Sequence, residues 1–226
     1  MTIRLVVADD QELVRAGLCA LLESEPDFDV VGAVHDGAEA LALLHEHAAD
    51  VVLMDIRMPV MDGLEATRRI AADVTLTSVR VLILTTFEID EYVVQALRAG
   101  ASGFLVKDIR PQVLLDGVRT VAAGDALLSP KATRALITRF LNRPDPPADP
   151  DGRLRSLTPR EREVLSYVAA GLSNDQIARH LTLSRLTVKT HVNRILTKTS
   201  ARDRAQLVVL AYETGLIQPG SSNTRP

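Results

Sequence analysis

The chain lacks the residues that several kinds of chemistry need. Its one cysteine, Cys19, sits between Leu18 and Ala20 in a helical pattern. That excludes an internal disulfide and a cysteine-rich zinc site, and leaves a buried structural thiol as the expected role. No uncharged stretch reaches the roughly 18 residues that a membrane span requires. The opening MTIRLVVADD carries no basic leader before an apolar run, so a soluble, cytoplasmic protein with no membrane partner is expected. No G-x-G-x-x-G follows the first strand-like run, which disfavours a nucleotide-binding oxidoreductase. No internal repeat is visible, and the net charge is only −3.

That small charge hides two unlike halves. Residues 1–129 hold 10 Lys and Arg against 21 Asp and Glu, a net of −11, whereas residues 130–226 hold 16 against 8, a net of +8. A basic module that meets a polyanion, joined to an acidic module with another task, is the expected plan. With 226 residues there is length for two ordinary domains.

The acidic half alternates strand-like and helix-like segments. Strands read at 3–8, 30–34, 51–54, 79–84 and 103–106, separated by amphipathic stretches such as 11–23 and 39–46. Several strands are continuous Val, Leu and Ile runs, the pattern of a parallel sheet covered on both faces. The expected fold is therefore α/β, a doubly wound five-stranded parallel sheet of flavodoxin-like order 2-1-3-4-5. After it, Ser129 and Pro130 read as the start of a helix running to about Leu141. The stretch NRPDPPADPDGR, with its prolines and aspartates, reads as an extended, semi-rigid linker. Beyond Thr158 only helical patterns follow, and the tail from Gln218 is expected to be disordered.

In an open α/β sheet, ligands bind beyond the carboxyl ends of the strands where the strand order reverses. Asp9 and Asp10 end strand one and Asp55 ends strand three, so three carboxylates are expected in one crevice. Their repulsion is relieved by a hard divalent cation with oxygen ligands, most simply Mg²⁺. Thr85 and Lys107 end strands four and five and reach the same rim. The set suits a phosphoryl group: cation and Lys107 neutralise its oxygens, Thr85 donates a hydrogen bond, and an aspartate attacks phosphorus. Asp55, alone on the central strand, is the best nucleophile candidate. An aspartate-nucleophile phosphatase is the enzyme rival, but it needs a D-x-D at the end of strand one, where Asp9 and Asp10 are adjacent.

The pair Asp9-Asp10, the run D-x-x-M-P-x-M-D-G from Asp55 to Gly63, Thr85, and Phe104 three residues before Lys107 closely resemble the receiver domain of bacterial two-component response regulators. The resemblance implies that Asp55 is the phosphoacceptor and that a sensor histidine kinase is the partner. It implies that Asp10, the main-chain carbonyl of Arg57 and, through water, Asp9 hold Mg²⁺ with Asp55. It makes Lys107 the partner of the phosphoryl oxygens, Thr85 the residue that moves to meet them, and Phe104 the aromatic that repacks behind. Core filler is the alternative reading of Phe104. Asp108 stands where many receivers place a proline.

In the basic half, Thr158 caps a helix with Pro159 at its first position and Glu161 at the capping-box position; Gly171 ends it. Ser173 and Ser184 cap two more helices, and together these make a helix-turn-helix. Val188, Val192 and Ile195 form the core side of the third helix. At about 100° per residue, Leu186, Thr190, Asn193, Arg194 and Thr197 face away, with Lys189 on a flank. Such a face suits a DNA major groove: amides read adenine, lysine reads guanine, and threonine or leucine can touch a thymine methyl. Arg185, Lys198, Arg202 and Arg204 are expected to extend the positive surface for phosphates. An ordinary solvated helix is the bland alternative.

LTPREREVL at 157–165, GLSN at 171–174, Ile177-Ala178 and TVKTHV at 187–192 resemble the LuxR-type helix-turn-helix, and the whole chain resembles the NarL/FixJ family of response regulators. The resemblance implies that Lys189, Thr190 and Asn193 face bases, with Thr187 in the same motif, and that a fourth helix at about 203–215 helps the domains dimerise. Thr199 falls on the core side where the family has an apolar residue, so a looser end to the third helix is expected. The domains expected are a receiver at 1–124, linker segments at 125–153, the DNA-binding domain at 154–217 and a tail at 218–226. The whole is expected to be a phosphorylation-controlled DNA-binding regulator, not an enzyme beyond slow self-dephosphorylation, that acts on double-stranded DNA as a homodimer. A regulator that binds DNA without phosphorylation is the closer rival.

Overall fold

Runs rich in Val, Leu and Ile become strands where both faces can be buried, and in this chain they lie side by side. The computed structural model describes residues 2–86, 90–125, 127–128 and 152–217. The helix expected at 129–141, the Pro/Asp-rich stretch up to Asp151 and the tail from Gln218 lie outside the described residues. Two compact units divide the chain, residues 1–132 and 133–226.

In the first unit, β1 (Ile3–Ala8), β2 (Phe28–Val34), β3 (Val51–Met54), β4 (Arg80–Thr85) and β5 (Gly103–Val106) alternate with α1 (Glu12–Glu23), α2 (Gly37–Glu46), α3 (Gly63–Ala72), α4 (Asp90–Ala99) and α5 (Pro111–Ala122). All strand pairs are parallel. The order is the expected 2-1-3-4-5, extended by a two-residue β6 (Leu127–Leu128) beside β5. Strand side chains alternate between faces. Leu5, Val7, Leu53, Leu82, Leu84 and Leu105 turn to one face, where Leu22 of α1 and Leu114, Val118 and Val121 of α5 cover them. The alternate residues, Thr85 and Phe104 among them, turn to the other face.

The second unit holds α6 (Pro159–Ala169), α7 (Asn174–Leu181), α8 (Arg185–Thr199) and α9 (Arg204–Glu213). The caps form as expected. Thr158 with Glu161, and Ser173 with Gln176, make reciprocal capping boxes. Gly171, at φ +82°, ends α6; Leu172 N–H reaches back to the Tyr167 carbonyl and Gly171 N–H to that of Val168, so the last carbonyls of the helix are satisfied. Thr182, also left-handed at φ +52°, makes the tight turn from α7 toward α8. Among the described residues, no helix is long and apolar enough to cross a membrane.

Candidate functional site

The carboxyl ends of β1 and β3 bring the acids together. Oxygen atoms of Asp9, Asp10 and Asp55 all lie within 4.8 Å of one another. Asp9 and Asp55 are 1% and 4% exposed, whereas Asp10 faces solvent. Lys107, one residue past β5, donates to both buried acids: its Nζ lies 2.6 Å from Asp9 Oδ2 and 3.0 Å from Asp55 Oδ2. Backbone N–H groups orient the acids further, Gln11 N–H donating to Asp9 Oδ1 at 3.1 Å and Ile56 N–H to Asp55 Oδ1 at 2.8 Å.

Burial pushes the Asp55 carboxyl up from its ordinary value against the opposing pull of Lys107. For Lys107, burial pulls the ammonium down, but its hydrogen bonds to Asp9 and Asp55 outweigh that and hold it above the ordinary lysine range. Three carboxylates against one ammonium leave the crevice net negative, with an all-oxygen donor set. This is the chemistry that a hard divalent cation fits.

The turn after β3 positions Asp55. Asp62 caps α3, its side chain accepting from Glu65 N–H at 2.8 Å, and Gly63 N–H donates to the Ile56 carbonyl at 2.9 Å. A Cβ at Gly63 would lie 1.9 Å from the Asp55 carbonyl oxygen, so only glycine fits there. Beside the acids a cleft of about 660 Å³ is lined by Asp10, Arg57, Pro59, Asp62 and Tyr92, among others. The Arg57 guanidinium hydrogen-bonds the Tyr92 hydroxyl and lies 5.4 Å from its ring centroid.

Thr85 ends β4 in register with Val106, while Ile83 pairs with Phe104. Thr85 and Phe104 are therefore diagonal neighbours on one sheet face, and both are buried. The Lys107–Asp108 peptide is trans.

In the second unit, α8 buries Val188, Val192 and Ile195 and exposes Arg185, Leu186, Lys189, Thr190, Asn193, Arg194 and Thr197, the arrangement that the periodicity predicts. Thr187 is half-buried at the first turn; its hydroxyl lies 2.8 Å from that of Ser184. Arg185 faces Asp175 at 3.6 Å across an exposed surface.

Two of the expected phosphate ligands have partners within the unit, the exposed Lys198 and the buried Arg204. Lys198 Nζ donates to Glu161 Oε2 at 2.7 Å, and Glu161 is only 3% exposed. Arg204 is buried, its guanidinium donating to Asn174 Oδ1 at 2.9 Å and to the Leu172 carbonyl. Both cations fasten helices together: Lys198 ties the end of α8 to the start of α6, and Arg204 ties α9 to the entry of α7. Arg202 is half-buried. Thr199 is buried at the last position of α8, its hydroxyl donating to the Ile195 carbonyl at 2.7 Å. In α9, Ala205 and Leu207 through Tyr212 are buried.

Comparison with known proteins accounts for both units. The family of response regulator receiver domains matches residues 5–119, and that of bacterial regulatory proteins of the luxR family matches residues 155–211. The transcriptional regulatory protein YxjL of Bacillus subtilis is 41% identical, the match covering 96% of this chain and 98% of that one. The chain is a DNA-binding response regulator. The response regulator VraR of Staphylococcus aureus is 38% identical over 96% of the regulator and 100% of VraR. The crystal structure of ChrA, from a heme-sensing two-component system, superposes with a TM-score of 0.50 at 35% identity, covering 96% and 99% of the two chains.

Receiver domains bind Mg²⁺ at their acidic residues, and the regulator presents such a cluster. Sequence reasoning missed the roles of Glu161 and Tyr92. A glutamate at the third position of a capped helix explains itself as a cap, so its second bond, to Lys198, left no trace. Tyr92 stands 35 residues from Arg57 with no motif joining them.

Proposed function

We propose that Asp55 accepts a phosphoryl group from a partner histidine kinase and that this modification controls DNA binding by the second unit. The observation that carries the reading is Lys107 bridging Asp9 and Asp55 at 2.6 and 3.0 Å inside the acidic cluster. An Asp55 carboxylate oxygen attacks phosphorus of the donor phosphohistidine; a P–O bond forms, the P–N bond breaks, and its electron pair leaves with the imidazole. Lys107 is placed to exchange an Asp55 oxygen for a phosphoryl oxygen, and Thr85, at the end of the adjacent strand, to donate a hydrogen bond to another. Asp9, Asp10, Asp55 and the Arg57 carbonyl are the residues that would hold Mg²⁺. Bound there, the ion would neutralise phosphoryl oxygens.

The aspartyl phosphate adds roughly two negative charges. Thr85 moves toward it and Phe104, its diagonal neighbour, repacks, shifting the population toward a form that dimerises and binds double-stranded DNA. Lys189, Thr190 and Asn193 face bases, with Thr187 at their edge, while Arg185 and Arg194 meet phosphates; Lys198 acts through Glu161 by holding α8 in place. The working chain is a cytoplasmic homodimer with its receiver at 1–124, linker segments at 125–153 and DNA-binding domain at 154–217, and it turns over no substrate beyond slow loss of its own phosphate.

Intact-mass analysis after incubation with acetyl phosphate and Mg²⁺ tests the chemistry. The parent gains the mass of one phosphoryl group and Asp55→Asn gains none. Unchanged mass in the parent, or equal gain in both, contradicts it.

A further inference from the structure

The exposed face of α8 contains an apolar side chain that a solvated helix has no use for. Leu186, in the first turn, is 74% exposed; no other large hydrophobic of the second unit's described residues is exposed to this degree. Leu186, Thr190, Asn193 and Thr197 follow one another at steps of four, three and four, so they form one stripe along the helix. The hydroxyls in that stripe are already engaged. Thr190 Oγ1 donates to the Leu186 carbonyl at 3.0 Å, and Thr197 Oγ1 donates to the Asn193 carbonyl at 3.1 Å. With its proton committed to the backbone, Thr190 cannot donate to an outside partner such as a thymine O4, and offers its methyl and an acceptor oxygen.

We infer that Leu186 and the Thr190 methyl form an apolar strip that recognises the C5-methyl of a thymine in the major groove. Leu186 is the specificity-determining residue at that position. The inference deepens the DNA-binding reading and rests on it. N-terminal residues of a recognition helix reach base edges, and the thymine methyl is the one apolar feature that a base pair presents in that groove. Lys189 and Asn193, both exposed and adjacent to Thr190 on the helix surface, supply the polar contacts to neighbouring pairs. The half-site therefore contains a thymine whose methyl, not its O4, is read. The engaged hydroxyl of Thr190 has no proton to give the thymine O4, so its methyl is the group that meets the base there.

The experiment uses the full chain, treated with acetyl phosphate and Mg²⁺, to select duplexes from a randomised DNA library. Each thymine of the enriched motif is then replaced by deoxyuridine, which removes only the methyl. At one thymine per half-site, binding weakens about fourfold, the worth of one buried carbon. In Leu186→Ala the ratio between thymine and deoxyuridine duplexes falls most of the way to one at that position, the Thr190 methyl keeping the remainder; in Leu186→Met, which keeps an apolar end, it persists. Thr190→Ser, which keeps the hydroxyl and deletes the methyl, lowers the ratio partway. Far-UV circular dichroism checks that each variant is folded. If a motif is enriched but no thymine is methyl-sensitive, or Leu186→Ala keeps the full ratio, this inference is overturned and the DNA-binding reading stands. If no motif is enriched, both fall.

Discussion

Lys107 and Lys198 each hold a buried carboxylate, and what surrounds that carboxylate sets them apart. Lys107 bridges two buried acids at the mouth of the sheet, where a phosphoryl group can take over one of its bonds. Lys198 meets one buried glutamate, which also caps the start of α6. Burial raises the Glu161 carboxyl, but the hydrogen bonds from Lys198 and Thr158 outweigh it and leave the group below the ordinary glutamate range. A carboxyl depressed in the folded state contributes stability above its unfolded value, and that contribution is lost as pH falls through the folded one. Glu161→Gln is therefore expected to destabilise the second unit by roughly 1–2 kcal/mol at neutral pH, discounted for the half-exposed Lys198. The deficit narrows as pH falls below the ordinary glutamate value of about 4.3. Urea unfolding of parent and variant across that range checks it; a deficit that grows on acidification contradicts it. The same pair marks where the sequence stops being legible. Lys198 sits among exposed residues of a basic helix, and only the fold reveals that an acid 37 residues away captures it.

Elements were more legible than partners. Continuous Val and Leu runs specify buried parallel strands because such runs are stable only between two layers. Ser, Thr and Asp caps announce helix starts because they satisfy otherwise unpaired N–H groups. The two-residue β6 had no such signal: Leu127 and Leu128 become a strand only because β5 presents an edge in register with them. At the β3–α3 turn, D-G could be read as turn chemistry, but the distance of approach could not. The packing of α3 against the Asp55 carbonyl predicts that Gly63→Ala, which puts a Cβ 1.9 Å from that oxygen, forces the helix start away. Overpacking of this kind typically costs about 1–3 kcal/mol. Phosphorylation by acetyl phosphate is expected to slow as the Asp55 backbone shifts. A phosphorylation rate and urea midpoint equal to the parent's would show that the turn does not position the nucleophile.

At the scale of the whole molecule, opposite charge on the two halves separates two tasks, phosphoryl acceptance in a crevice of acids and binding to a polyanion. DNA affinity is expected to fall linearly with salt on logarithmic axes, each neutralised phosphate contributing about −0.9 to the slope. Arg194→Ala then lowers that slope by about one contact with little change in sequence preference, whereas Lys189→Ala changes the preference. Equal effects from both variants would erase the distinction between phosphate and base contacts. The central claim is that a phosphoryl group on Asp55 governs what α8 does, and affinity for an enriched duplex, measured with and without acetyl phosphate and Mg²⁺ at fixed salt, tests it most directly. The account predicts tighter binding after phosphorylation in the parent and no change in Asp55→Asn. The same response in both proteins, or none in a parent shown to be phosphorylated, would contradict it.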